Sequence, residues 1–495
     1  MSKTYRPYQP TQSFLLPPSP LDWLPEDHLA RFVLDTVGEL DLSEIHTHYE
    51  REARGKPPHH PQMMVALLLY AYCVGVPSSR KIEKRTYEDV AFRVLAGNTQ
   101  PDHTRISEFR RIHLQALAKL FVQVLRLCQR MGLVKLGHVA LDGTKVKANA
   151  SKHKAMSNER MTQDVARLEA EVTKLLQAAE QTDVTEDLEH GTGRRGDEIP
   201  EELRRREGRL TRIRALQADL VAEAQSQAQQ RENQQQEEAQ TEALVGEMSN
   251  IRAAQQAGDQ PDDDEPPPPG TPRPTVPEPM PEHQIPVGKD GTPTAKAQRN
   301  FTDADSRIMK TGDGFIQGFN AQAVVDQEHQ IILAADVSNQ SPDAEHLVPM
   351  LDRTIDNCQA VPEKMSADTG YFSEANILRA QSRGVDPYIA TKRQKHGCAA
   401  EPTEATIPSE ESDLKAQMRS KLSTPEGAKV YSRRKVIVEP PFGQIKNRGF
   451  RTFSLRGIQK VRGEWSLITL THNLLKLHKA ARRGPAMGTC VRIAS

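Results

Sequence analysis

Apolar positions change their period along the chain. Between residues 60 and 131 they recur at helical spacing in three runs, PQMMVALLLYAYCVGV, SSRKIEKRTYEDVAFRVLAG and ISEFRRIHLQALAKLFVQVLRLCQRMG, which predict a helical domain over residues 40–131 behind an N-terminal arm, 1–39. Ser78 and Ser79 stand where N-caps are expected. Basic side chains are interspersed with the apolar ones: Arg80, Lys81, Lys84 and Arg85 in the second run, Arg110 and Arg111 at the head of the third. Short helices with basic outer faces suit a DNA-contacting module of helix-turn-helix character. An ordinary bundle with solubilising cations fits the same pattern.

From Gly137 the pattern becomes that of strands: HVALDGTKVKA, then GFNAQAVVD and QIILAADVS joined by a hairpin turn at Asp326–Gln330. A helix follows near Ala344–Asp356, then a strand at KMSADTG, a helix at SEANILRAQSRG and a short strand at DPYIAT. This order predicts an α/β fold, a mixed sheet with helices on its faces, built from residues 132–154 and 298–480.

An insertion, 155–297, interrupts that unit. Val165, Leu168, Val172 and Leu175 form one helical stripe and Leu210, Ile213, Leu216 and Leu220 a second, which predicts a helical, coiled-coil-like hairpin over 161–225. Beyond it the chain turns Gln- and Glu-rich and then Pro-rich. Of the 26 residues from Pro261 to Pro286, 11 are proline and none is Phe, Trp or Tyr, so 258–290 reads as an extended or disordered linker.

Composition adds three constraints. The longest apolar run, Met63–Val76, is too short to span a bilayer, and the first ten residues lack the apolar core of a signal peptide, so the expectation is a soluble, intracellular protein with no membrane partner. The five cysteines form no C-x-x-C pair, and His396 with Cys398 is the one close ligand pair. Lys plus Arg balances Asp plus Glu at 66 each, but unevenly: the net charge is about +12 over 51–154, −12 over 155–300 and +13 over 429–495, the last including a basic tail, 481–495. Two basic blocks around an acidic one suit two polyanion-binding surfaces; solvated faces would give the same count.

Asp142 ends the predicted strand HVALD, with Gly143 positioned to turn the chain away, and Asp368 ends KMSAD in the same way before Thr369 and Gly370. Asp-Gly alone is a common turn. Two aspartates ending neighbouring strands could share one or two hard divalent cations, which prefer oxygen ligands. Asp368-Thr369-Gly370 also spells an aspartic-protease triplet, but such enzymes need two facing aspartates and an all-β fold. A third acid, Glu439, precedes Pro440 and Pro441, which suit the first turn of a helix, so a helix is expected to start or kink there. Lys446 returns to the face of Glu439 after two turns, among Arg433, Arg434, Lys435 and Arg448; Tyr431 shares a face with Arg434 if that stretch too is helical.

The spacing Tyr431, Arg434, Glu439, Lys446 resembles the signature around the catalytic glutamate of bacterial DDE insertion-sequence transposases. The strings LDGTKVKANAS, DADSRIM, GFNAQAVVD, SADTGYFS and VEPPFGQIKNRGFRTFSLRG resemble the insertion-sequence eleven-eighty-two group over about residues 40–155 and 298–480. The resemblance implies a ribonuclease-H-like catalytic domain. It implies Asp142, Asp368 and Glu439 as catalytic ligands of Mg²⁺ or Mn²⁺, two ions in a two-metal mechanism. It further implies an N-terminal DNA-binding domain and a cytoplasmic, nucleoid-associated homo-oligomer that cuts double-stranded DNA at terminal inverted repeats and joins it to target DNA. Lys446, Tyr431, Arg433, Arg434, Lys435 and Arg448 would contact that DNA. The sequence departs from the signature in one spacing: four residues separate Arg434 from Glu439 where the pattern has three, an offset that Lys435 meets. Some relatives carry several cysteines between the second and third motifs, where only Cys398 stands here. The competing reading is a catalytically inactive, transposase-derived DNA-binding regulator.

Overall fold

The computed structural model describes residues 19–50, 57–190, 201–255, 278–288, 290–392 and 413–483. The His396–Cys398 pair, residues 258–277 of the expected linker and nearly all of the tail lie outside the described residues.

Helices open the chain: α1 (Leu29–Glu39), α2 (Ser43–Glu50), α3 (Pro61–Cys73), α4 (Ser79–Glu88), α5 (Val90–Leu95), α6 (His103–Ile112) and α7 (Leu114–Arg130). α3 is apolar on all sides and correspondingly buried from Met64 to Cys73. Asp89 caps α5 and Asp102 caps α6 through their carboxylates, whereas Ser78 precedes α4 without a side-chain capping bond. The expected arm is no separate element beyond residue 19: Ala30, Val33 and Val37 of α1 are buried in the same core as α3.

The sheet is built from β1 (His138–Lys147), β4 (Arg307–Thr311), β5 (Gly314–Asp326), β6 (Ile332–Ser338), β7 (Lys364–Ala367) and β8 (Asp386–Ile389), in the order β4-β5-β1-β7-β8. β6 and β4 share the edge of β5 opposite β1. β5 is antiparallel to β1, β4 and β6, while β7 and β8 run parallel to β1. A small antiparallel pair, β2 (Ala155–Ser157) and β3 (Gln298–Asn300), closes the base of the insertion. α10 (Leu347–Cys358) and α11 (Glu374–Gln381) separate the later strands, and α12 (Asp413–Ser423), α13 (Pro425–Asn447) and α14 (Ile458–Ala481) complete the unit.

α14 joins the two halves. It packs on α3, α7 and β6. Its Asn473 amide bonds both the N–H and the C=O of Ile332, and the Trp465 indole N–H donates to the Gln322 carbonyl. One apolar core therefore runs from α1 to α14, with no break at the expected boundary near residue 131.

The insertion forms α8 (Asn158–His190) and α9 (Glu201–Gln255). Pairs Asp164–Arg209, Glu171–Arg206 and Thr162–Gln217 make them antiparallel, over a small core of Met161, Leu168, Leu210, Ile213 and Leu220. The linker expectation needs correction at its C-terminal end. Residues 278–288 are extended but packed, because Met280 and Ile285 are apolar enough to be buried and Ser338 and Asn339 bond the backbone at Pro281 and His283.

One buried ion cluster ties α9 to the strands: Glu223 pairs with Arg299 of β3 and lies 3.7 Å from Arg307 of β4. Both guanidiniums are nearly fully buried, and burial together with Arg299 holds Arg307 down to about 10. Glu223→Ala leaves two like charges buried without their shared counterion, a loss of about 3 kcal/mol. Thermal unfolding should show a melting temperature several degrees lower; an unchanged melt contradicts this anchoring.

Candidate active site

β1 does not end at Asp142. It stays paired with β5 through Lys147, so Gly143 is no turn. A Cβ there would collide with the Gln322 amide and lie 3.0 Å from Asn320 Oδ1; glycine is what lets those two side chains cross β1. The β1–β7 register aligns His138 with Lys364 and Ala140 with Ser366; Asp142 lies two residues further along β1 and Asp368 one residue past the end of β7, near enough for its charge to act on the Asp142 carboxyl. Asp368 Oδ1 accepts the Gly370 N–H at 2.8 Å, starting a short turn of 3-10 helix.

Behind the pair stands a polar network that the sequence reading missed. Asp343 Oδ1 accepts from Asn320 Nδ2 at 2.7 Å, Gln322 Nε2 at 3.0 Å and Lys145 Nζ at 3.2 Å. Tyr371, fully buried, donates its hydroxyl to Gln322 Oε1. Burial and then Asp343, Asp142 and Asp368 push that phenol well above its usual range, which places it among three carboxylates. In the sequence Asp343 sits in SPDAEH, where an acid before a helix reads as a cap; its side chain caps nothing.

α13 brings the cations. It runs unbroken from Pro425, capped by Thr424, through both Pro440 and Pro441, so no helix starts at Glu439. Pro440 cannot donate to the Val436 carbonyl one turn back. Gln330 Nε2 donates to that oxygen instead, at 2.9 Å. Arg434 is buried, and its Nη1 lies 2.9 Å from Asp142 Oδ2. Arg434, and not the exposed Lys435, therefore faces the site despite its departure from the signature spacing. Tyr431 lies against Arg434 one turn away. Lys446 donates to Thr144 Oγ1 at 2.6 Å, two residues past Asp142 on the same face of β1.

Burial raises the Asp142 carboxyl to about 6, with Arg434 opposing and Asp368 adding to the rise. Arg434 is itself destabilised by burial, but Asp142, Tyr431 and Asp368 outweigh this and hold it above its ordinary value. Two like charges side by side want more positive charge than one guanidinium supplies. The donor chemistry at Asp142 and Asp368 thus fits a hard divalent cation. Glu439 is not gathered to them. It is exposed on α13, on the face of Lys446, and among the described residues no group of three or more His, Cys, Asp or Glu is placed to hold a metal. The flank of Asp142 facing α13 is taken by Arg434 instead.

The remaining candidate DNA contacts divide. Arg80 and Lys81 are exposed at the start of α4; Lys84 and Arg85 pair with Glu88 and Asp89; Arg111 lies 3.9 Å from Glu108. Arg433 and Lys435 are exposed. Arg110 is a correction: it is buried and donates to Tyr72, the Pro77 carbonyl and Ser79, holding α6 to α3 and α4. Arg448 also turns inward, toward Thr471 and Phe450.

Two family models match the chain: residues 285–474 match the transposase DDE domain, and residues 18–111 match a transposase domain, DUF772. The segment similar to the transposase DDE domain contains Asp368 and Glu439, and Asp142, on β1, lies between the two matched segments. No curated protein and no solved structure matches the chain.

Asp142 gives a signed pH prediction. Its carboxyl titrates near 6 folded and near 3.8 unfolded, so between these values the native state holds the extra proton and stability falls as pH rises. In metal-free protein, wild type should lose up to about 3 kcal/mol relative to Asp142→Asn between pH 4 and 7. A stability difference that does not vary with pH contradicts the assignment.

Proposed function

We propose that the protein is a DDE transposase that binds transposon ends in double-stranded DNA, cuts a strand and uses the freed 3′-hydroxyl to attack a target phosphodiester, which joins the strand to target DNA and releases a 3′-hydroxyl there. The observation that carries this reading is that Asp142 of β1 and Asp368, just past the end of the neighbouring parallel β7, lie close enough for their charges to interact, with Arg434 against Asp142, in a chain whose residues 285–474 match a transposase DDE domain. We read the catalytic unit as ribonuclease-H-like, since an antiparallel β1-β5-β6 set is followed by parallel β7 and β8 with helices between. The strings around Asp142 and Glu439 support membership of the insertion-sequence eleven-eighty-two group.

Asp142 and Asp368, joined by Glu439 when DNA and metal arrive, would hold Mg²⁺ or Mn²⁺. A bound divalent ion would supply Lewis-acid stabilisation of the phosphorane-like charge and a more acidic nucleophile. Lys446, whose bond to Thr144 sets it two residues from Asp142, would take a non-bridging phosphate oxygen. Arg434 keeps Asp142 oriented and ionised. Asp343, through Asn320 and Gln322, fixes the floor on which both aspartates rest. Arg80 and Lys81 of the N-terminal domain would hold the phosphate backbone, and a homo-oligomer would bring two ends together.

Incubating the full chain with its flanking DNA and Mg²⁺ tests this reading. Cuts should appear at inverted repeats. Asp142→Asn, Asp368→Asn and Glu439→Gln should each lower cleavage at least a hundredfold while changing DNA affinity by less than about threefold, because each removes a ligand charge and leaves the basic surfaces alone. Full activity in any of the three sinks the assignment. DNA binding without cleavage in wild type would favour the regulator reading.

A further inference from the structure

Beyond the N-terminal end of β1, the turn between β5 and β6, α13 and the last turns of α14 enclose a concavity of about 870 Å³. Arg433 enters it from α13, and Lys476, Lys479 and Arg483 enter from α14; Glu328 is the one carboxylate in its lining. Arg433, Lys479 and Arg483 are exposed and have no ion pair among the described residues. Lys476 is half-buried, and its ammonium donates to the Gln330 amide oxygen at 2.9 Å. Burial and the neighbouring Lys479 hold Lys476 below its ordinary value, so the cations crowd one another with a single carboxylate, Glu328, in the lining. The negative end of the α14 dipole accounts for a cation in its last turn. It does not account for Arg433, which another helix delivers to the same hollow, nor for a half-buried lysine there. Arg433 also lines an adjoining groove, but there Asp326, Glu363 and Glu426 stand among the lysines, so the basic track is confined to the concavity itself.

This track is separate from the carboxylates. Arg433 and Arg434 are consecutive on α13, but Arg434 turns to Asp142 while Arg433 faces the concavity. Convergent, largely unneutralised cations from two helices in an open concavity match a regular array of phosphates better than a single small anion, because duplex DNA presents one charge per about 1.7 Å of axis.

We propose that this concavity is a second DNA surface, which grips the phosphate backbone of a duplex segment outside the one at Asp142 and Asp368, without reading its sequence. The identity of the polyanion rests on the transposase reading; the site itself does not depend on catalysis. Arg433, Lys479 and Arg483 make the phosphate contacts, and Lys476 supplies field from the floor.

The test is equilibrium binding of the full chain to a duplex of arbitrary sequence, read by fluorescence anisotropy in EDTA at salt from about 50 to 200 mM. The double variant Lys479→Gln with Arg483→Gln should bind about tenfold more weakly at the lower salt, and its slope of log affinity against log salt should flatten by about 2, near 0.9 for each lost contact. Arg433→Gln, on the other helix, should flatten the slope by about 1. These are exposed positions, and an unchanged melting curve will show that each variant is folded. Wild-type affinity and slope in both variants overturns the proposal, as does a wild-type chain that binds RNA duplex and not DNA. EDTA separates the two readings. A chain that cuts DNA yet loses no affinity in these variants keeps its function and has no second surface; a chain that never cuts but shows the predicted slopes keeps the surface and loses the catalytic reading.

Discussion

The contact on which the site depends is Arg434 against Asp142, a guanidinium and a carboxylate held together where both are largely out of water. Ionised groups in that setting are stable only when paired, and pairing here is incomplete, because Asp368 lies beside Asp142 and adds a second negative charge. The rest of the catalytic unit can be read as what keeps this arrangement in place. β1 must be central, flanked by β5 and β7, for Asp142 to be shielded and close to Asp368. α13 must pass over β1 without a break for Arg434 to reach down while Lys446 reaches Thr144 three turns further on. Pro440 inside that helix leaves the Val436 carbonyl free, and Gln330 takes it over.

The floor of the site shows the same logic in neutral groups. Asn320, Gln322 and Tyr371 are buried polar side chains, and each has its hydrogen bonds met by another member of the set or by Asp343. A network of this kind is stiff because any member that moved would strand a buried donor or acceptor. Above it, α14 ties the sheet to α3 and α7, so the N-terminal helices and the carboxylates share one core instead of being hinged by a linker. DNA held at α4 would therefore meet the site at a fixed offset.

How much of this the sequence disclosed depended on how local the cause was. The mixed sheet and the helical N-terminal region were legible, since strand alternation and helical periodicity are set by nearby residues. The approach of Asp142 to Asp368 could be suspected from two similar strand ends, but it comes from β1–β7 pairing across more than two hundred residues. Gly143 misled because Asp-Gly usually marks a turn; its real cause, space for Gln322 and Asn320, is a tertiary contact. Pro440 and Pro441 misled for the same reason, since Gln330 is remote in sequence. Arg110 looked like a surface cation beside Arg111, and only the folded chain shows it bonded to Tyr72 and Ser79. Asp343 carried no signal beyond an acid at a helix start. Despite the departure in motif spacing, it is Arg434 and not Lys435 that faces the carboxylate.

The proposed function requires a cation site at Asp142 and Asp368 that Glu439 completes. Fe²⁺ in place of Mg²⁺, with ascorbate and peroxide, generates hydroxyl radicals that cut the polypeptide next to the bound ion. The account predicts cuts within a few residues of Asp142 and Asp368, a further cut in α13 near Glu439 once duplex DNA is added, and suppression of all three by excess Mg²⁺. Cutting confined to other parts of the chain, or cuts at these positions that excess Mg²⁺ leaves unchanged, would contradict it.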